Sequence, residues 1–317
     1  MKGPPSPLRI VFFGSGNFAV PALRALVDSQ DKVVMVVTSP PAKAGRGQTI
    51  TNTSIAKMAE DYELKVVETS FVNNHDTLDA IERAQPELLV VVAFRGFLGP
   101  RLLSLGYTPP INIHPSLLPR HRGPAPVNWT LIKGDQLCGV SINFVDLKVD
   151  AGAVLAQNAI PVPEAVGSGE IEHELSQIGA KLLLQVIQQI KDDRLTPVPQ
   201  NETLATINRL LKKSDGQIRF DQPASTLAHL INGVDPWPGA QAMVGDKLIK
   251  LFKAASCPGK AEPGQVLGLD DKGRLKIGTG KGLLLVSELQ LEAKNRLAAI
   301  DFCRGQAVER LVPIPNG

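Results

Sequence analysis

Leu8-Arg-Ile-Val-Phe-Phe13, the turn Gly14-Ser-Gly16 and, further on, Lys32-Val-Val-Met-Val-Val-Thr38 decide the fold. Both apolar runs are rich in β-branched and aromatic residues and lack the polar alternation of a half-buried strand, so they read as strands covered on both faces. Between them Ala19–Ser29 reads as a helix, with Pro21 in its first turn. The pattern then repeats. Ile55–Tyr62 is helical, Leu64–Val67 a short strand, Asp76–Gln85 helical, and Glu87–Ala93 (ELLVVVA) a third buried strand. Strands alternating with amphipathic helices predict a doubly wound α/β domain with a mostly parallel, Rossmann-like sheet.

Beyond the third strand, Pro109–Pro126 is proline-rich and reads as mostly irregular, and Cys138–Leu147 returns to strand character. Gly169–Lys191 reads as a long helix closing a first domain over residues 1–194. Residues 195–213 read as a linker. From Asp215 onward a short helix (Ser225–Asn232) precedes strand runs at Lys247–Phe252, Gly264–Leu267, Leu275–Gly278 and Leu283–Glu288, separated by Gly and Pro turns. That texture predicts a small open β-barrel, OB-like, over 214–317.

The composition excludes several classes. In 317 residues, 43% hydrophobic and 21% charged, there is no disordered, collagenous or coiled-coil bias. Cys138, Cys257 and Cys303 lie far apart, form no Cys-x-x-Cys pair and predict neither a disulfide framework nor a metal site. The start, Met1–Pro7, lacks the features of a signal peptide, and no apolar run approaches the ~18 residues of a membrane span. The expectation is a cytoplasmic protein, not membrane-bound. The net charge of +3 is unevenly divided. Residues 1–207 carry 18 Lys+Arg against 20 Asp+Glu, and residues 208–317 carry 16 against 11. A basic rear half suits a polyanionic partner, or simply a solvated lysine-rich face.

Four motifs carry chemistry. Gly14-Ser-Gly16-Asn-Phe-Ala19 fits a relaxed dinucleotide fingerprint, but the second strand ends Val37-Thr38-Ser39-Pro40 without the acidic residue a ribose needs. It therefore reads as a tight turn beside a ligand cleft. Lys43-Ala-Gly-Arg46-Gly47 is either an ordinary basic surface loop or a mobile arm that grips phosphate; spacing leaves this open. Asn112-Ile-His114 places an amide and an imidazole on one side of an extended segment. The amide can donate to a developing oxyanion and the imidazole can carry a proton near neutral pH, although a lone His is more often structural than catalytic. Asp150, before Gly152, is either a turn residue or a proton acceptor that orients His114; spacing leaves this open.

Taken together these residues resemble the formyltransferase family that uses 10-formyltetrahydrofolate. The resemblance rests on Ile10–Gly14 with Phe18–Pro21, Ala44–Gly47, Asn112-Ile-His114 with Ser116-Leu-Leu-Pro119-Arg120 and Gly123, Asp235-Pro-Trp-Pro-Gly239, and Leu289–Glu292 with Lys294. It implies the formyltransferase fold and a catalytic set of Asn112, His114 and Asp150. It implies a folate site along Ser116, Leu117, Leu118 and Pro119, without a metal, and contact of Lys43 and Arg46 with RNA. The implied reaction moves a formyl group to the α-amino group of methionine on charged initiator tRNA by a monomeric enzyme. An amino-sugar nucleotide or glycinamide ribonucleotide acceptor, a folate-dependent hydrolase and a non-catalytic RNA-binding protein are the competing readings. His121 stands where the family commonly has a large aromatic residue.

Overall fold

The computed structural model describes residues 7–44, 49–305 and 308–315. They form two compact units that interleave in sequence. The first takes the chain up to Gly123, then Gly139–Ala159 and Glu172–Ile207; the second takes Pro124–Cys138, Ile160–Ile171 and the chain from Asn208.

The chain opens with β1 (Arg9–Gly14), α1 (Val20–Val27), β2 (Lys32–Thr38) and a hairpin of β3 (Ala42–Ala44) and β4 (Thr49–Thr51). It continues with α2 (Ser54–Asp61), β5 (Val66–Glu68), α3 (His75–Arg83), β6 (Leu88–Val92), α4 (Pro100–Leu103) and β7 (Ile111–His114). Then come α5 (Pro126–Ile132), β8 (Leu137–Phe144), β9 (Val154–Pro161) and α6 (Ser168–Lys191). The sheet order is β5-β2-β1-β6-β7-β8-β9. The pairs from β5 to β7 are parallel and β7 meets β8 antiparallel. All five residues of β6 and five of the six in β1 are buried, as strands covered on both faces must be.

The helices start where the sequence supplies caps. Thr53 accepts the Ala56 N–H at the head of α2, and Asn74 accepts the Thr77 N–H at the head of α3. The first turn of α1 contains Pro21. The carboxyl end of β2 carries hydroxyls rather than a carboxylate: Ser39 N–H and Ser39 Oγ meet Ser15 Oγ, and Thr38 meets Thr53. This is a bound turn, not a ribose site.

Two elements differ from the sequence expectation. The proline-rich stretch contains a true sheet strand, β7, and residues 195–207 of the expected linker are part of the first unit. Residues 195–207 hydrogen bond back into it: Val198 with Val154, and Thr206 with Pro119, His121 and Arg122. Polar side chains anchor this segment, so no apolar period announces it.

The second unit continues with α7 (Ala224–Gly233), β10 (Ala240–Val244), β11 (Lys247–Cys257), β12 (Val266–Leu269), β13 (Leu275–Gly278), β14 (Leu283–Leu291), β15 (Leu297–Ala298) and α8 (Ala299–Gly305). Its strands run antiparallel in the order β10-β11-β14-β13-β12, with β15 on β14. Residues 309–312 reach both edges. Val312 exchanges two backbone hydrogen bonds with Met243 of β10, Glu309 accepts from Val266 of β12, and Leu311 donates to Gly264. This bridging of the two edges is the closure of an open barrel. Inside, Ile218, Phe220, Leu227, Ile231, Leu251, Leu284 and Phe302 share one core.

Candidate active site

The site grows from β7. Residues two apart on a strand share a face, so Ile111 and Ile113 point one way and Asn112 and His114 the other. A Cβ on Gly179 of α6 would lie 2.8 Å from Ile113 and 3.2 Å from Val140, so the helix covers the Ile face closely. The opposite face carries the polar pairs that the β7–β8 register sets side by side: Asn112 with Asn143 and His114 with Ser141.

Each polar group has a defined partner. Asn112 Nδ2 lies 3.4 Å from Asn143 Oδ1, a long and weak donation, while Asn143 Nδ2 donates to the Phe144 carbonyl at 2.8 Å. His114 Nε2 is 2.9 Å from the His121 carbonyl. A carbonyl only accepts, so Nε2 carries a proton. His114 Nδ1 faces Asp150 Oδ2 at 3.6 Å, beyond hydrogen-bond distance. Asp150 Oδ2 accepts the Gly123 N–H at 2.8 Å. The imidazole side chain is 7% exposed and the carboxylate 19%, so the pair is largely shielded from water.

The backbone here is forced. His121, Ala125 and Asp150 have φ of 58°, 55° and 49°, left-handed values that cost a non-glycine residue free energy. Gly152 sits where a Cβ would be 2.0 Å from the Phe144 carbonyl oxygen, so the turn carrying Asp150 lies tight against the end of β8.

The segment expected to line a folate site is rigid. Ser116 is buried and its Oγ donates to the Arg120 carbonyl. Ser141 Oγ donates to the Ser116 carbonyl and accepts the Leu118 N–H; Gln157 donates to Ser141 Oγ and to the Leu118 carbonyl. Leu118 and Pro119 line a cavity of about 340 Å³ with Val154–Gln157 and Val198–Asn201. Leu117 instead packs near Gly139, where a Cβ would be 2.4 Å from it. Lys43 is exposed on β3. Arg46 lies outside the described residues.

Residues 8–187 match the family described as Formyl transferase, and residues 210–307 match Formyl transferase, C-terminal domain. The chain belongs to the formyltransferase family. Relatives named methionyl-tRNA formyltransferase align along almost their whole length. That of Citrifermentans bemidjiense is 35% identical, covering 95% of each chain, and that of Syntrophus aciditrophicus 36% identical, covering 94% of this chain and 96% of its own. Among solved structures, an N-formyltransferase from Helicobacter canadensis complexed with folinic acid and dTDP-3-aminofucose superposes with TM-score 0.68 at 16% identity, over 88% of this chain and 98% of that one. HypX from Aquifex aeolicus with tetrahydrofolic acid superposes with TM-score 0.61 at 21% identity, over 94% of this chain and 47% of that one. These two share the formyltransferase fold.

In this formyltransferase, sequence reasoning missed the groups that hold the site from behind. Thr206 bonds to the turn bearing His121, Gln200 to the turn bearing Asp150, and Arg122, next to His121, bonds Gln200. Nothing in local spacing marks them, because their partners lie 50 to 85 residues away. The second unit's Asp235, part of the resemblance, is a buried ion-pair partner: Arg296 binds both of its oxygens at 2.9 Å, lies over the Phe252 ring and pairs with Glu288.

Proposed function

We propose that the chain transfers the formyl group of 10-formyltetrahydrofolate to the α-amino group of methionyl initiator tRNA. The observation that carries this reading is the alignment, through both matched regions, with relatives named for that reaction. The basic balance of residues 208–317 suits a nucleic-acid substrate. The place of action is then the cytoplasm, where charged tRNA is used, and the working unit a monomer.

The residues suit a folate substrate. A cavity of about 340 Å³ bounded by Leu118 and Pro119 has the size of a small-molecule site. In the transfer, Asn112 donates its weakly committed amide proton to the oxyanion that forms as the amine attacks the formyl carbon. His114, held through Nε2 by the His121 carbonyl, is the second donor to that oxyanion in this reading, through its other ring nitrogen. Asp150, 3.6 Å from that nitrogen, orients the ring and helps move the proton that the attacking amine loses to the folate nitrogen, whose bond to the formyl carbon breaks as the tetrahedral intermediate collapses. Lys43 and Arg46 contact tRNA phosphate, as do basic groups of the second unit.

The test is radiolabelled formyl transfer from 10-formyltetrahydrofolate with charged initiator tRNA, a dTDP-amino sugar and water as competing acceptors. Label recovered on the tRNA supports the reading; preferential label on the sugar, or free formate, overturns it.

A further inference from the structure

A single side chain, Gln200, is bonded at every polar position. Its Nε2 donates to the carbonyls of Asp150 and Gly152, each at 2.7 Å. Its Oε1 accepts Arg122 Nε at 3.0 Å and Nη2 at 2.9 Å. Arg122, only 4% exposed, also binds both carboxylate oxygens of Glu202, at 3.0 and 2.7 Å. The residue after Arg122 is Gly123, whose N–H holds the Asp150 carboxylate. The bonds form a closed ring: Gln200 to the backbone of Asp150, the Asp150 side chain to Gly123, and Arg122 back to Gln200. Thr206 does the equivalent for the imidazole. Its Oγ1 accepts the His121 N–H at 2.7 Å and its carbonyl accepts the Arg122 N–H at 2.8 Å. These bonds hold the left-handed His121, whose carbonyl takes His114 Nε2.

We propose that residues 200–206 are the positioning strap of the active site. Gln200 locks the left-handed turn that aims the Asp150 carboxylate, and Thr206 locks the His121 carbonyl that aims His114. The strap rests on the reading of Asp150 and His114 as the groups serving formyl transfer. Neither strap residue reacts. Each acts through the backbone of a neighbour, where a displacement of an ångström is enough to slow a reaction by two orders of magnitude.

Gln200→Glu is the informative substitution. It retains the acceptor for Arg122 but turns the donor into an oxygen facing two carbonyls. Turnover should fall at least about 30-fold, with KM for folate and for tRNA within about 3-fold and the thermal midpoint lowered by only a few degrees. In an Asp150→Asn background the same substitution should cost less than about 3-fold more, because the group it aims is gone. Thr206→Val should lower turnover about 10-fold, and Thr206→Ser, which keeps the hydroxyl, should restore it to within about 3-fold. Near-parental turnover of folded Gln200→Glu overturns the proposal, as does a full, additive loss in the Asp150→Asn background. If Gln200→Glu fails to fold, the Thr206 pair decides: loss in Val with recovery in Ser supports the strap, and no loss in Val overturns it. Retained turnover in Asp150→Asn alone removes the catalytic reading and the strap with it. An inactive Asp150→Asn beside an active Gln200→Glu removes only the strap.

Discussion

Replacing Asn112 by alanine should stop the chemistry while leaving the protein folded. Two magnitudes, both set by the structure, separate these effects. The bond lost within the protein is the 3.4 Å contact to Asn143 Oδ1, already long. Asn143 keeps its donation to Phe144, but its Oδ1 is left buried without that donor. An unsatisfied buried acceptor costs about 1–3 kcal/mol. Against a total stability of roughly 5–15 kcal/mol, nearly all molecules stay folded. The catalytic loss is of another order: one oxyanion donor is worth about 100- to 1,000-fold in turnover, or about 3–4 kcal/mol. The expected result is a fall of that size in single-turnover formyl transfer, with KM for both substrates within about 3-fold and a thermal midpoint lowered by only a few degrees. Asn112→Asp should be no better, since it sets a carboxylate where negative charge develops. Turnover of folded Asn112→Ala within about 5-fold of the parent would refute the assignment. So would a raised KM at unchanged turnover, which would make Asn112 a ground-state contact.

Three further perturbations test other parts of the structure. Gly152→Ala forces a Cβ to 2.0 Å from the Phe144 carbonyl, backbone against backbone, so it should displace the Asp150 turn and lower both turnover and melting temperature; parental values for both would show that the turn can yield. Asp31 is buried, accepts the Leu8 N–H and pairs with Lys191 Nζ at 2.6 Å, so Asp31→Ala should cost about 3–5 kcal/mol in urea unfolding, and a loss under about 1 kcal/mol would refute that role. For RNA contact, log kcat/KM with charged tRNA should fall linearly against log salt, and Arg46→Ala or Lys43→Ala should each reduce the slope by about 1. A flat salt series would deny phosphate contact by the enzyme, and an unchanged slope in either variant would deny it for that residue.

What the sequence disclosed follows from what a local pattern can carry. The runs at Leu8–Phe13, Lys32–Thr38 and Glu87–Ala93 announce β1, β2 and β6 because strands buried on both faces must be apolar at every position. β7 fails that test because only one of its faces is apolar: Ile111 and Ile113 face α6, and Asn112 and His114 the opposite face, so four residues among prolines show only one alternation. β9 ends the sheet, with Gln157, Asn158 and Ala159 exposed or partly so, and edge strands carry little apolar signal. The composition of residues 195–207, with two prolines and apolar residues at no regular period, has the texture of a linker. Their contribution lies in side-chain bonds to backbone far away in sequence, which no periodicity encodes.

The left-handed residues explain why such a segment belongs in the first unit. His121 and Asp150 are not glycine, and each such conformation costs about 1–3 kcal/mol unless its surroundings impose it. Both lie where a site group is aimed: His121 presents its carbonyl to His114, and Asp150 presents its own carboxylate. Both are bonded by side chains from 200–206. Glycine at either place would relieve the strain but free the backbone, and the carbonyl or carboxylate would then sample directions in which it aims nothing. The strain and the strap are therefore two halves of one device. A strained turn points the group, and a segment that reads as a linker supplies the fixed donors and acceptors that keep it pointed.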